Sequence, residues 1–229
     1  MLNENTRKVL KSLTSVSGSA IIRYPLSTVA QKDKSLIAFV DLEALDEAPF
    51  DEFGVSFLSD LLNLVDFYDD AQIELNGGVI DIKTANSHQR YRTTELEMMK
   101  AFDVNSAILD KLGAETPEIK FDITKDEFDR FKKIASLVKS DFFVVEDGSI
   151  VVCKLDATNT MLDESTTDHL MDTNGCKDRV AFEMKNIDKI PSGAYEVKLI
   201  KNPNSGNFIS LWTSEDNPFK IVVSVAKTF

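Results

Sequence analysis

Residues 4–16 (ENTRKVLKSLTSV) carry Val9, Leu10, Leu13 and Val16 on one helical stripe, with Arg7, Lys8 and Lys11 off it, the spacing of an amphipathic helix. Strand-like runs follow: SAIIRY (19–24), STVAQK (27–32) and SLIAFVDL (35–42), before acidic residues and Pro49 break the pattern. A second unit opens at Phe53, where Phe57, Leu58, Leu61, Leu62 and Val65 fall at helical spacing. AQIEL and VIDIK alternate on either side of Asn76-Gly77-Gly78 and predict a hairpin, with QRYRTTE as a further strand.

Residues 100–117 show no strong period and end at Gly113 and Pro117, which suggests a connector. EIKFDI then reads as a strand. Thr124 stands at an N-cap position with Glu127 three residues on, a capping-box spacing. Phe128, Phe131, Ile134, Ala135 and Val138 form the buried stripe of the helix it opens. FFVVEDGSIVVCKL is another hairpin, turning at Asp147-Gly148, and residues 156–178 read as a polar, acidic loop around one strand. In VAFEMKNIDKIPSG, Pro191 and Gly193 curtail any helix to a turn. AYEVKLIK, the NPNSG turn, NFISLWT and PFKIVVSVAKTF complete the chain as strands. Strand, short amphipathic helix and hairpin thus recur from about residues 53 and 118, and in part from 1 and 180. Such repetition predicts a pseudo-symmetric α+β object.

At 229 residues the chain exceeds the usual single domain. The expected division is 1–108, a connector at 109–117, and 118–229. No run approaches the roughly 18 apolar residues of a membrane span, and MLNENTRKVLKSL lacks the form of a signal peptide. Two cysteines, Cys153 and Cys176, suit a reduced cytosolic protein. The formal charge is −12, from 38 acidic and 26 basic residues, which taken whole argues against a simple nucleic-acid binder. The basic residues are segregated, however, and their placement matters more than the average.

Chemistry-bearing constellations are missing from the sequence. It has no glycine-rich loop ending in Gly-Lys-Ser/Thr and no Gly-x-Ser-x-Gly elbow. His88 and His169 stand isolated, and the cysteine spacing suits no zinc site. Asp163, Glu164, Asp168 and Asp172 lack the alternating pattern and following glycine of a calcium loop, so a solvated acidic loop is expected. No catalytic residue, metal or cofactor is expected.

Over nearly its whole length the sequence resembles the sliding clamps of the T-even bacteriophages. The passages that carry this are TRKVLKSL, VSFLSDLLNLVDFYDDAQIEL running into GGVIDIK, EIKFDITKDEFDRFKKIASLV with EDGSIVV, and FEMKNIDKIPSGAYEVKLI followed by a tryptophan-containing hairpin. The resemblance implies two similar clamp domains per chain, with antiparallel sheets outside and short helices inside, in a homotrimeric six-domain ring around duplex DNA. It implies no enzymatic activity. Its implied partners are double-stranded DNA without sequence preference, the replicative DNA polymerase and a clamp loader. A role in late transcription, no membrane, and the cytoplasm of an infected bacterial host are also implied. The bacterial clamps use three domains per chain, for which this chain is short.

A ring that slides needs cations that meet phosphate without reading bases. The first helix offers Arg7, Lys8 and Lys11 against Glu4. Residues 124–139 offer Lys125, Arg130, Lys132, Lys133 and Lys139, with Asp126, Glu127 and Asp129 near the helix start, where negative charge is favourable. Lys185 and Lys189 in the fourth turn are further candidates. The second helix offers Ser59, Asp60, Asn63 and Asp66 and no lysine, a gap in the expected lining. Candidates for an apolar partner-peptide pocket between the domains, on the resemblance, are Ile108, Leu109, Leu112, Pro218, Phe219 and Phe229. Two other readings stay open: an acidic DNA-mimicking or structural binding protein, against which the basic helices argue, and a carboxylate-dependent metal enzyme, which needs its acids clustered in a cleft.

Overall fold

The computed structural model describes the chain apart from residues 69–70, 147, 156–159, 203–204 and 229 and the side chains of Leu162 and Asp163. It divides into two compact units, Met1–Ser106 and Ala107–Phe229.

The first unit opens with helix α1 (Glu4–Ser12), capped by the Asn3 side chain, which accepts the Thr6 N–H at 2.9 Å. α1 buries Val9 and Leu10, and Leu13 and Val16 continue the apolar stripe beyond it. Strands β1 (Ala20–Ile22), β2 (Leu26–Ala30), β3 (Leu36–Asp41) and β4 (Phe53–Val55) follow. They pair antiparallel in the order β4-β1-β2-β3. Helix α2 (Leu58–Phe67) buries Leu58, Leu61, Leu62 and Val65. Phe57, expected on that stripe, is instead 66% exposed. It precedes the helix with non-helical backbone (φ −131°, ψ 71°), so helical spacing does not govern where its ring points. Strands β5 (Gln72–Asn76), β6 (Val79–Lys83) and β7 (His88–Arg92) form an antiparallel sheet in sequence order. Gly77 and Gly78 turn the β5–β6 hairpin with φ of +54° and +80°, the two left-handed positions such a two-residue turn requires.

The second unit begins with helix α3 (Ala107–Ala114). The expected connector at 109–117 is thus largely helical and belongs to this unit. Only Leu112 of the helix is fully buried, so eight residues with one anchor leave no apolar period to detect. Strand β8 (Ile119–Ile123) leads to helix α4 (Lys125–Val138), then β9 (Phe142–Glu146), β10 (Ser149–Leu155), β11 (Met161–Asp168) and β12 (Met171–Asp172). β13 (Val180–Glu183), the four-residue helix α5 (Met184–Ile187), β14 (Tyr195–Lys201), β15 (Phe208–Ser214), β16 (Phe219–Ser224) and β17 (Lys227–Thr228) complete it. The strands pair as β12-β8-β14-β15-β16 and as β11-β10-β9-β13-β17. A strand, a helix and three strands therefore recur as β4–α2–β5–β6–β7, β8–α4–β9–β10–β11 and β13–α5–β14–β15–β16. α1–β1–β2–β3 matches the same order without the leading strand.

α4 bridges the two sheets of its unit. Phe128 meets Tyr195 of β14 and Trp212 of β15, each at 5.6 Å between ring centroids. Phe131 meets Phe143 of β9 edge-on at 5.9 Å. The helix start is fixed by the expected capping box. Thr124 Oγ1 accepts the Glu127 N–H at 3.4 Å, while Glu127 Oε2 accepts the Thr124 N–H at 2.9 Å. Side-chain and backbone hydrogen bonds from Thr124 hold the Glu127 carboxyl below its usual range, so this contribution is present at neutral pH and lost as pH falls through the lowered value. Thr124→Ala is expected to cost about 1 kcal/mol, read as a lower urea midpoint with an unchanged slope. An unchanged midpoint counts against the cap.

Candidate nucleic-acid interface

On α1 the three cations are not equally available. Arg7 Nε contacts Asp66 Oδ1 at 2.8 Å and Lys11 Nζ contacts Asp66 Oδ2 at 3.1 Å, while Lys8 pairs with Glu4 at 2.6 Å along the helix. Partial burial opposes ionisation of Asp66, but the hydrogen bonds from Lys11 and Arg7 prevail and hold its carboxyl below the usual range. These residues line a groove of about 660 Å³ with Val65, Tyr68, Ala71 and Ile73. The second helix, expected to offer no cation, instead places a carboxylate that pairs with two cations of the first helix. Nothing in the sequence signals this, because the partners stand 59 and 55 residues apart.

On α4 the picture differs. Lys125, Arg130 and Lys133 are exposed and, among the described residues, make no ion pair. Lys132 turns inward instead. Its ammonium donates to the Asp188 carbonyl at 3.3 Å and to the Ile190 carbonyl, just beyond α5, and it lies 4.5 Å from the centre of the Phe128 ring. Burial lowers its pKa. Lys132 is thus a link between α4 and the end of α5, where cations are favoured, rather than an open phosphate contact. Lys185 is exposed and pairs with Glu183 at 2.8 Å, and Lys189 is half-buried. Lys185 of α5 is therefore already neutralised by a neighbouring carboxylate, and Lys189 lies beyond the helix.

The apolar candidates separate. Ile108 and Leu112 of α3 line a cavity of about 150 Å³ with Ile200 of β14 and Ile209 of β15, rimmed by Lys111, Glu115, Lys201 and Asn202. Leu109 is half-buried and outside this lining. Phe219 is 4% exposed, with its ring 6.3 Å from that of Tyr195. The register pairs Ile209 with Ser224 and Thr213 with Lys220, so Phe219 stands five residues along β16 from Ser224, about 17 Å at the rise of a strand. Pro218 and Phe219 therefore belong to the opposite end of the sheet, and Phe229 lies outside the described residues.

The histidines have partners. His88 Nε2 lies 2.9 Å from Asp81 Oδ1, which Arg90 also contacts, and His169 Nε2 lies 2.7 Å from the Asp122 carbonyl. Cys153 is buried, its thiol pushed up to about 11 by burial. Among the described residues no group of acids, histidines and cysteines is placed to hold a metal, and no helix is long and apolar enough to cross a membrane.

No family model and no curated protein matches the sequence. Solved structures do. The C-terminal region of FEN-1 bound to A. fulgidus PCNA gives a TM-score of 0.63 at 12% identity, over 96% of this chain and 94% of that one. The fold is that of the sliding clamps. The Helicobacter pylori beta clamp bound to a DNA ligase peptide gives 0.60 at 10% identity, and the DNA polymerase III beta subunit of Thermotoga maritima 0.62 at 11%. Each is covered over 96% of this chain but 64% of its own length. The present chain thus carries the clamp fold at the length of a PCNA chain and under two thirds of the length of these bacterial clamps.

Proposed function

We propose that this chain is the subunit of a DNA sliding clamp, a scaffold that encircles duplex DNA and tethers a replicative polymerase. The observation that carries the reading is the coincidence of a clamp fold with α4, which presents Lys125, Arg130 and Lys133 without ion pairs among the described residues on a chain of net charge −12. Free cations at a helix surface, without a base-reading element, suit sequence-independent phosphate contact. Arg7, Lys8 and Lys11 of the first unit supply the second cationic helix.

A chain of two units with the length of a PCNA subunit favours three copies per six-domain ring. Ring closure needs strand edges open to another subunit. β11 (Met161–Asp168) and β7 (His88–Arg92) stand at the margins of their sheets. Their sequences, MLDESTTD and HQRYR, carry opposite charge. The cavity of Ile108, Leu112, Ile200 and Ile209 suits an apolar anchor from a partner peptide such as a polymerase or clamp-loader segment. The segment resemblance to the T-even phage clamps supports a replication role in an infected bacterium, with late-transcription coactivation as a second use of the same ring.

Light scattering tests the assembly. Three copies of 25.6 kDa give a mass near 77 kDa. A clean monomer at high protein concentration removes the ring.

A further inference from the structure

We infer that Asp66 is a built-in restraint on DNA contact in the first unit: its carboxylate holds Arg7 and Lys11, so α1 presents less free charge to a phosphate backbone than its sequence carries. The inference rests on the clamp reading above and concerns the strength of its contacts.

Asp66 lies in the last turn of α2, where the helix dipole disfavours a negative charge. Its position therefore does not serve α2. What it gains is two cations from a neighbouring helix, one on each carboxylate oxygen, at 2.8 and 3.1 Å. The Asp66 side chain is 34% exposed and that of Lys11 54%, so the grip is solvent-screened and open to competition by another anion. A DNA phosphate reaching Arg7 or Lys11 competes with Asp66 for their charge, and Arg7 is held as well by a hydrogen bond to the Leu2 carbonyl at 2.8 Å. The condensed counterions belong to the DNA, and cations already neutralised by a carboxylate displace fewer of them, so binding through them gains less from salt dilution. On α4, by contrast, Arg130 and Lys133 are exposed without an ion pair among the described residues. The two cationic helices are thus set to different strengths, one open and one restrained, which limits total grip on DNA that must slide.

The test is binding of the intact protein to a short fluorescent DNA duplex, followed by anisotropy across a potassium chloride series. Asp66→Asn is expected to bind more tightly, with a log–log salt slope steeper by about one to two. Its advantage over the wild type should grow about threefold per freed cation for each fourfold fall in salt. Asp66→Glu, which keeps the carboxylate, should restore the wild-type slope, and Asp66→Ser should behave as the asparagine variant does. Melting curves identify a variant that fails to fold, and the slope is read only on folded protein. Lys133→Ala separates the two ideas. If it lowers the slope by about one while both neutral substitutions at position 66 leave the slope unchanged, the restraint is wrong and the clamp contact stands. If neither Lys133→Ala nor the neutral substitutions change the slope, the DNA-contact reading fails and takes the restraint with it.

Discussion

Reversing Arg130 and Lys133 together (R130E/K133E) is expected to reduce duplex affinity by about one to two orders of magnitude at low salt and to lower the salt slope by roughly two, with molecular mass unchanged. The large effect follows from where α4 keeps its charges. Its acids, Asp126, Glu127 and Asp129, stand toward the helix start. Glu127 is engaged with Thr124, and Asp129 accepts a hydrogen bond from Ser192 at 2.7 Å. Among the described residues neither Arg130 nor Lys133 forms an ion pair, although Glu127 feels the Arg130 charge, and both side chains are exposed. Both side chains lie off the Phe128, Phe131 and Ala135 face that packs the core, so reversal should leave the fold intact. Primer extension in the presence of a polymerase trap should show shortened products in parallel with the binding loss. Unchanged affinity and unchanged product length in a correctly assembled double variant would sink the assignment of α4 to DNA.

The elements that were legible in the sequence are those with a local physical cause. α4 announces itself by a capping box, which the structure contains, and by an apolar stripe, of which Phe128, Phe131 and Ala135 are buried while Ile134 and Val138 are half-buried. The β5–β6 hairpin follows from Gly77-Gly78, since few residues other than glycine accept two successive left-handed positions. α3 escaped because a single buried leucine leaves no period, and Phe57 misled because it sits one residue outside the helix whose spacing it shares.

The candidate site was legible only in outline. Which helices carry cations is a property of the sequence. Which cations are free is a property of packing, and the two diverge at Lys132 and at Asp66. Lys132 counts in the sequence among the candidate phosphate contacts, yet the turn after α5, more than fifty residues on, supplies carbonyls that capture it. Asp66 reads as a missing lysine and proves to be the partner of two α1 side chains. The apolar cavity divides in the same way. Ile108 and Leu112 could be named from the sequence, whereas Ile200 and Ile209 look like any other strand residues until the register brings them together.

Trp212→Ala is expected to be the most destabilising single substitution in the second unit, at about 3–5 kcal/mol. The indole is fully buried on β15 and is the chain's one tryptophan. Phe128, Tyr195, Phe143 and Phe182 surround it at 5.6, 5.9, 6.3 and 6.4 Å between centroids. It therefore joins α4 to strands of both sheets, and its removal leaves a cavity that rings fixed on separate elements cannot close. Its Nε1 donates to Ser210 Oγ at 2.9 Å, and that hydroxyl donates to the Val223 carbonyl at 3.0 Å. Trp212→Phe keeps much of the apolar volume while removing the indole donor. It should cost markedly less than alanine, and the difference between the variants measures the packing share. A whole domain is stable by only about 5–15 kcal/mol. The alanine variant should therefore lose roughly 1–3 M of urea midpoint by circular dichroism, at one fixed protein concentration so that any assembly contributes equally. Because Phe128 rests on this ring, the same variant should weaken DNA binding through α4 even where the protein remains folded. An alanine variant with a wild-type midpoint would show that the aromatic cluster does not hold the sheets and α4 together.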